Sequence, residues 1–230
     1  MAPVQVAIII PAFNESVSIG NVIEELITTI GDEVTIIVVS DFSTDDTANA
    51  AAAAGAMVVN LKENLGYAQA IDEGLKYACS ELDVDYLLTM DADGQHDPKS
   101  AQLLIRSMIA GEQDLIVGRR PKSARFSEWL YGKYFARKFG ITDPLCGLKI
   151  YRKCLYQEYG TFETYDSIGT ELLTWALIKG FKVSELSVDI RDRKDASRFG
   201  SILSANKRIF FSLIDTIAYV RKQRLISDSR

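Results

Sequence analysis

Residues 86–98 read YLLTMDADGQHDP, a mostly apolar run that leads directly into two carboxylates. A buried strand that ends in acidic side chains places hard oxygen ligands at the edge of a sheet, where α/β proteins bind phosphorylated ligands. Asp91 and Asp93 are separated by one residue, so in extended backbone both side chains point the same way and can share a divalent cation. Gln95 adds a neutral oxygen. The stretch therefore predicts a strand followed by a metal site made of Asp91, Asp93 and Gln95.

The end of the same stretch has the signature of a helix start. Asp97 is a favourable N-cap residue and Pro98 suits the first helical position. This accounts for Asp97 and Pro98 but not for the two earlier carboxylates, whose mutual repulsion a cation would offset. His96 is the only histidine. It lies outside the alternation of the acids, so we interpret it as a loop residue and not as a ligand or base.

The rest of the chain alternates apolar runs with helical stretches, which predicts an α/β sandwich with a mostly parallel central sheet. A length of 230 residues with 47% hydrophobic residues fits one large domain. Helix starts are predicted at Ser16 and at Ser43 with Asp46 as a capping box. The predicted strands are 4–10, 34–40, 56–60, 86–90, 115–117, 148–151 and 182–188, and the later helices are 126–139, 167–179 and a last one from about 202.

Cysteine content and hydropathy predict a cytoplasmic protein. The three cysteines are an odd number without metal-ligand spacing, which favours a reducing compartment over a disulfide framework. The start of the chain has no basic region and reads as a strand, so we expect no secretory signal. The longest apolar stretch, 209–220, is shorter than the roughly 18 residues that a spanning helix needs.

Charge is distributed unevenly along the chain. Residues 1–118 carry 4 basic and 19 acidic side chains, residues 119–138 carry seven basic and one acidic, and residues 191–230 carry ten and four. Such separation predicts that the second half meets an anion, such as a lipid surface, a phosphate or a nucleic acid; a solvated helix face is the alternative. No GxGxxG or GxxxxGK[ST] motif occurs, so nicotinamide, flavin and P-loop chemistry lose their main support.

Four motifs in order resemble the family 2, GT-A type glycosyltransferases. They are Pro11 to Glu15, Ser40 to Thr47, Asn64 to Ala68, and the acidic stretch at 91–93. The later part resembles the dolichyl- or polyprenyl-phosphate sugar synthase branch through residues 118–120, 142–148 and 193–201. The resemblance implies a GT-A domain over 1–205, with a nucleotide-sugar half at 1–118 and an acceptor half at 119–205, and leaves 206–230 as a basic amphipathic helix.

The resemblance also implies a nucleotide-sugar site at the carboxyl ends of the first strands. Asp41 is expected to accept a hydrogen bond from the base, although Asp41 and Ser43 also suit turn chemistry. Ser40 and Phe42 stand where the family usually has an acid and a glycine, so a UDP-sugar and a GDP-sugar both stay open. The donor-binding residues implied are Pro11, Phe13, Asn14, Glu15, Asp41, Gly66, Asp91, Arg193 and Arg198.

In this branch the metal, Mg²⁺ or Mn²⁺, acts as a Lewis acid for the leaving diphosphate. A phosphate monoester acceptor is already an anion and can attack without a base, but it needs positive charge around it. Asp143 is expected to orient the acceptor or to act as base, unless it only forms an Asp-Pro turn. The catalytic set implied is Asp93, Asp143 and Arg120, and the acceptor-phosphate set is Arg119, Arg120, Lys133 and Arg137, of which the last two also suit an exposed helix face.

These expectations describe an inverting, metal-dependent transfer of a sugar to a polyprenyl phosphate. Aromatic and basic residues between Phe126 and Phe139 predict peripheral association with the cytoplasmic membrane face. The sequence leaves open whether a separate subunit anchors the protein to the membrane, and no nucleic acid is expected as a partner. Two alternatives remain: a glycosyltransferase acting on a sugar hydroxyl of a glycan or glycolipid, and a non-catalytic nucleotide-sugar-binding protein.

Overall fold

Seven strands form a single sheet in a computed structural model that describes residues 5–31, 33–121, 125–191 and 202–228, with side chains in the last helix described for 204–223. The strand order is β3-β2-β1-β4-β6-β5-β7. The predicted alternation of strands and helices is confirmed. The strands are β1 (Val6–Ala12), β2 (Val34–Ser40), β3 (Met57–Asn60), β4 (Tyr86–Thr89), β5 (Leu115–Arg119), β6 (Lys149–Arg152) and β7 (Val183–Ser187).

The sheet is mostly parallel, with one reversed strand. β1 pairs in parallel with β2 and β4, β2 with β3, and β5 with β7. β6 lies antiparallel between β4 and β5. The carboxyl ends of β1, β2 and β4 therefore meet the amino end of β6 at one edge of the sheet, which is where open α/β sheets bind ligands.

Helices cover both faces of the sheet. α1 contacts α2 and α4, while α3 packs on β1 and β2 and contacts α6. α3 returns the chain from β3 to β4, and right-handed crossovers place it on the face opposite α1 and α2. The α/β/α layering is confirmed. The helices are α1 (Ile19–Ile30), α2 (Thr47–Ala53), α3 (Tyr67–Glu81), α4 (Pro98–Ala110), α5 (Phe126–Phe139), α6 (Lys153–Tyr159), α7 (Glu171–Lys179) and α8 (Ile202–Asp228).

The helices predicted from 126 and from about 202 begin at Phe126 and Ile202, but of the predicted capping residues only Asp97 is confirmed. Asp97 Oδ1 accepts a hydrogen bond from the Lys99 N–H at 2.9 Å, with Pro98 in the first turn. The capping box at Ser43 and Asp46 is wrong, because the Ser43 hydroxyl instead accepts a hydrogen bond from the Asn14 N–H and thereby joins two loops. The prediction of Ser16 is also wrong, since α1 begins at Ile19 and Ser18 occupies its N-cap position without a capping hydrogen bond from its side chain.

α7 begins at Glu171, later than predicted. Ile168 and Gly169 have φ values of +55° and +73°, so the backbone is left-handed there and cannot continue a right-handed helix. The Ser167 hydroxyl accepts hydrogen bonds from the N–H groups of Thr170 and Glu171 at 3.1 and 3.0 Å. Ser167 therefore caps the turn that precedes α7.

The last helix packs on α5 and α7. Ile209, Leu213 and Val220 are buried, and the Tyr131 hydroxyl of α5 lies 2.7 Å from Thr216 Oγ1. α8 begins at Ile202, so the domain boundary predicted at 205 falls inside the helix. Within the described residues, no helix is both long enough and apolar enough to span a bilayer.

A glycine lets α3 lie close to the sheet. A Cβ on Gly74 would lie 2.5 Å from Ile9 Cγ2 and 2.8 Å from Val39 Cγ2. We expect Gly74→Ala to lower the free energy of unfolding by about 1–3 kcal/mol through overpacking. Gly20→Ala on α1 is the matched control, because nothing lies within 4 Å of its added Cβ. Urea unfolding measures both variants; equal stability of the two would contradict this account of the helix–sheet contact.

Candidate active site

A cavity of about 1070 Å³ opens at the carboxyl ends of β1, β2 and β4. It brings together most of the predicted donor residues, although they come from four separate loops. The predicted residues that line it are Pro11, Phe13, Glu15, Asp41, Gly66, Asp91, Asp93, Gln95 and Arg120.

Asn14 supports the cavity without being among its described lining residues. Its backbone has a φ of +53°, a left-handed conformation that asparagine tolerates. Its side-chain Oδ1 accepts a hydrogen bond from the Thr44 N–H at 2.8 Å. Asn14 therefore joins the loop after β1 to the loop after β2.

Asp41 is buried, with 4% of its surface exposed, and it organises the start of α3. Its two carboxylate oxygens accept hydrogen bonds from the N–H groups of Leu65 and Gly66 at 2.7 and 2.9 Å. Each oxygen retains a second lone pair. Asp41 lines the cavity while holding the 64–66 turn, so turn chemistry and the predicted contact with a base are compatible.

Asp91 is held from two sides. Its Oδ1 accepts a hydrogen bond from the Tyr67 hydroxyl at 2.9 Å, and its Oδ2 lies 3.1 Å from Nε2 of His96. Burial alone would raise the pKa of Asp91, but His96, Tyr67 and the charge of Arg120 lower it to about 2. The carboxylate is therefore ionised at neutral pH, as a metal ligand must be.

Gly147 lies directly against this carboxylate. A Cβ at position 147 would lie 2.7 Å from both Asp91 oxygens. Because that separation is too short for any side chain, the loop before β6 needs glycine here. Gly147 thus sets how closely the loop before β6 approaches Asp91.

Asp93 and Gln95 complete the predicted metal set. Asp93 Oδ1 accepts a hydrogen bond from the Gln95 N–H at 3.1 Å, and both residues line the cavity. In the part of the chain that the structure describes, no group of three or more His, Cys, Asp or Glu side chains is placed to hold an ion. Two carboxylates and an amide fit Mg²⁺ or Mn²⁺, which take few protein ligands and complete their shell with phosphate oxygens.

His96 is more than the loop residue that we expected. It is 3% exposed, its Nε2 contacts Asp91, and its backbone forms a bridge with Ile190. Its Nδ1 is buried without a hydrogen-bond partner in the described structure. His96 lies in the loop before α4 as expected, but the bridge to a segment 94 residues away buries its ring.

Arg120 and Asp143 form a bidentate pair. The guanidinium Nε and one Nη lie 2.8 Å from the two oxygens of Asp143, and the Arg120 N–H donates to the same carboxylate at 3.0 Å. Glu128 lies 3.4 Å away on the other side. Burial alone would lower the pKa of Arg120, but the Asp143 carboxylate raises it above its usual value.

The other predicted acceptor residues are not among the described residues that line this cavity. Arg119 is exposed and donates to Ser187 Oγ at 2.6 Å. Lys133 and Arg137 are exposed on α5 and do not line the cavity, and the Lys133 ammonium lies 5.5 Å from the ring centroid of Trp129. The structure thus favours the exposed-face interpretation for these two. Arg193 and Arg198 lie outside the described residues.

Tyr67 and Lys149 are among the cavity-lining residues that sequence reasoning did not single out. Tyr67, at the first position of α3, gave no signal beyond its place in a motif. Lys149 is 3% exposed and lines the cavity. A lysine within the predicted strand Leu-Lys-Ile-Tyr could have indicated a functional side chain, because a charged side chain is rarely buried without a partner.

Comparison with known proteins identifies the family. The family model for "Glycosyl transferase family 2" matches residues 7–164. The chain belongs to glycosyl transferase family 2. It is therefore a glycosyltransferase, and the resemblance seen in its motifs is confirmed.

Two curated relatives of this family 2 glycosyltransferase carry names of lipid-phosphate enzymes. Dodecaprenyl-phosphate galacturonate synthase of Rhizobium johnstonii is 25% identical over 94% of this chain and 68% of its own length. UDP-N-acetylglucosamine–dolichyl-phosphate N-acetylglucosaminyltransferase of Methanococcus voltae is 29% identical over 66% of this chain and 71% of its own.

A solved structure confirms the GT-A fold. Glucosyl-3-phosphoglycerate synthase from Mycobacterium tuberculosis, in complex with Mn²⁺, UDP and phosphoglyceric acid, has a TM-score of 0.74 and 19% identity. The match covers 94% of this chain and 79% of that one. Another structure of that enzyme contains Mg²⁺ and UDP. The fold therefore accommodates a nucleoside diphosphate together with either cation.

The contact between Gly147 and Asp91 can be tested by mutation. We expect Gly147→Ala to displace the carboxylate and to weaken Mn²⁺-dependent binding of UDP by about tenfold or more, the effect typical of a lost supporting contact at a metal site. Isothermal titration calorimetry measures it, with Gly20→Ala as control. Unchanged affinity in Gly147→Ala would show that Asp91 does not hold the cation.

Proposed function

We propose that this enzyme transfers a sugar from a nucleotide-sugar to a polyprenyl phosphate at the surface of the cytoplasmic membrane. The observation that carries the proposal is the bidentate pair of Arg120 and Asp143. A sugar hydroxyl needs a base to remove its proton, whereas a phosphate does not. Both oxygens of the predicted base are engaged by a guanidinium, an arrangement that suits an acceptor that needs no base.

The donor would bind along the first two loops. Asp41 would accept a hydrogen bond from the base, with Pro11, Phe13 and Glu15 bordering the nucleoside. Asp91, Asp93 and Gln95 would hold Mg²⁺ or Mn²⁺, which when bound neutralises the charge that develops on the leaving diphosphate. Tyr67, His96 and Gly147 keep the Asp91 carboxylate in place for this role.

The acceptor phosphate would be oriented by Arg120, which Asp143 and Glu128 hold at the cavity wall. The attacking oxygen is already deprotonated, so Asp143 acts as a positioning residue. The names of the two lipid-phosphate relatives support this choice of acceptor. A relative named as a hexosyltransferase of glycan biosynthesis shows that other family members are not named for a lipid phosphate.

The surface of α5 and α8 supports association with a membrane. Phe126 and Trp129 are 72% and 48% exposed, and their ring centroids lie 5.6 Å apart. Tyr131 and Phe135 are buried, and Tyr134 and Phe139 pack partly buried against the core, so four of the six aromatics between 126 and 139 belong to the core. On α8, Phe210, Phe211 and Ile214 are exposed. The two helices meet where Ser127 Oγ donates to Asn206 Oδ1 at 2.6 Å. Exposed aromatics with lysines beside them suit the headgroup level of a bilayer.

This surface borders the cavity. Arg125 and Glu128 from the start of α5, and Ser204, Ala205, Arg208 and Ile209 from the start of α8, line its outer part. A lipid phosphate held at the bilayer surface would therefore reach the site without leaving the membrane entirely.

The choice of acceptor is tested by transfer of radiolabelled sugar from a panel of UDP- and GDP-sugars, with Mn²⁺, to undecaprenyl or dolichyl phosphate. We expect a lipid-linked product with one donor. We expect Asp143→Asn to retain transfer within about tenfold of wild type, whereas loss of a general base would cost about 10²–10⁴-fold. Asp91→Asn is the inactive control. Absence of lipid product with every donor, together with transfer to a glycan hydroxyl, would overturn the proposal.

Membrane association predicts a specific effect of the exposed aromatics. We expect the double variant Phe126→Ser, Trp129→Ser to bind phosphatidylglycerol-containing vesicles at least about tenfold more weakly. Full burial of one such ring in the membrane would contribute roughly 1.5–3 kcal/mol to binding, and the variant loses this contribution at both positions. Leu103→Ser on α4 is the matched control, since Leu103 is 45% exposed on another helix. Vesicle flotation measures binding; equal binding by all three proteins would exclude this surface.

A further inference from the structure

Lys149 is a charged side chain inside the cavity that the proposed mechanism does not use. It is the first residue of β6 and pairs with Thr89 of β4, two residues before Asp91. Only 3% of its surface is exposed, yet it lines the cavity. Its position lies deeper along the sheet than the predicted metal ligands.

Among the described residues, no carboxylate pairs with the ammonium group of Lys149. Its hydrogen bond in the described structure goes to the Gly169 carbonyl at 3.3 Å, so two of its three donors stay available. The other described cations that line the cavity are paired: Arg120 with Asp143, Arg125 with Glu128, and Arg208 with Asp166. Among the described basic side chains that line the cavity, Lys149 alone has no acidic side chain within 4.0 Å.

A buried cation without a counter-ion is destabilising, and proteins normally pair it. Burial lowers the pKa of Lys149, while the charges of Asp143 and Asp91 act in the opposite direction. Asp91 and Asp93 are assigned to the divalent cation, and Asp143 is bound to Arg120. An anionic group of a substrate that enters the cavity would therefore supply the counter-ion that Lys149 lacks.

We term the part of the cavity lined by Tyr67, Lys149, Phe162 and Gly169 the inner compartment. A Cβ on Gly169 would lie 3.2 Å from the Phe162 ring and 3.9 Å from Cε1 of Tyr67, so both rings lie beside the residue whose carbonyl Lys149 binds. The Tyr67 hydroxyl also contacts Asp91, so the compartment adjoins the predicted metal site. Aromatic walls beside a diphosphate site suit the faces of a sugar ring.

We propose that Lys149 is a specificity-determining residue that binds a substrate oxyanion in this inner compartment. The oxyanion has two available sources, the carboxylate of a hexuronic acid on the donor and the phosphate of the acceptor. The proposal rests on the function proposed above, because it assumes a nucleotide-sugar at the Asp91 site. A purely structural role, tethering the left-handed turn at Gly169, is the alternative.

The test uses Lys149→Met, which removes the charge at similar length, and Lys149→Arg, which keeps it. The matched control is Lys153→Met, since Lys153 also donates to a backbone carbonyl, that of Leu82 at 3.2 Å, but does not line the cavity. Calorimetry with Mn²⁺ compares UDP, UDP-glucose and UDP-glucuronic acid. A second titration adds farnesyl phosphate, as the acceptor probe, to the protein with Mn²⁺ and UDP.

If the sugar carboxylate is the ligand, Lys149→Met weakens UDP-glucuronic acid by about tenfold or more and leaves UDP and UDP-glucose unchanged, consistent with loss of a charged hydrogen bond. If the acceptor phosphate is the ligand, Lys149→Met binds UDP and the two UDP-sugars as wild type does, and its affinity for farnesyl phosphate falls by about tenfold or more. In both cases Lys149→Arg retains most of the affinity and Lys153→Met all of it.

Two results would overturn the proposal. In the first, Lys149→Met binds all four ligands with the affinity of wild type. In the second, its affinities for all four fall by one common factor together with the melting temperature. Either result would assign Lys149 a structural role. Failure of the proposed function is a separate result: wild type then binds no farnesyl phosphate and makes no lipid product. In that case the three donor titrations alone decide whether Lys149 binds an oxyanion.

Discussion

The site depends on how the Asp91 carboxylate is held. Tyr67 reaches it from the start of α3, His96 from the loop after β4, and Gly147 lies against it from the loop before β6. Each contact comes from a different part of the chain, so the position of one carboxylate requires that the whole sheet edge be assembled. A cation bound there would report on the packing of all three segments.

Local sequence signals were sufficient for the fold and for part of the site. The strand before Asp91, the cap at Asp97 and the helix from Phe126 to Phe139 follow from periodicity and turn chemistry, which act over a few residues. The acids at 91 and 93 were predicted because their spacing is itself local.

Features that depend on contacts between distant residues were not predictable in this way. His96 is buried by a bridge to Ile190, Ser43 is taken from its capping role by Asn14, and Asp143 is bound by Arg120. In each case a partner at least 20 residues away along the chain decides the role of a side chain whose local context indicated another. Lys149 differs, since a charged residue within a buried strand is a signal that the local sequence already contains.

The reversed direction of β6 has a consequence for how this enzyme can diversify. In a sheet that is parallel throughout, the residues that precede a strand lie at the edge away from the ligand. Because β6 runs the other way, the segment from Thr142 to Leu148 arrives at the same edge as the donor loops and brings Asp143, Gly147 and then Lys149 with it. Changes in this single short segment can therefore alter the side chains that face Asp91 and Arg120 while the loops after β1 and β2 stay untouched, so one wall of the cavity can change without the other.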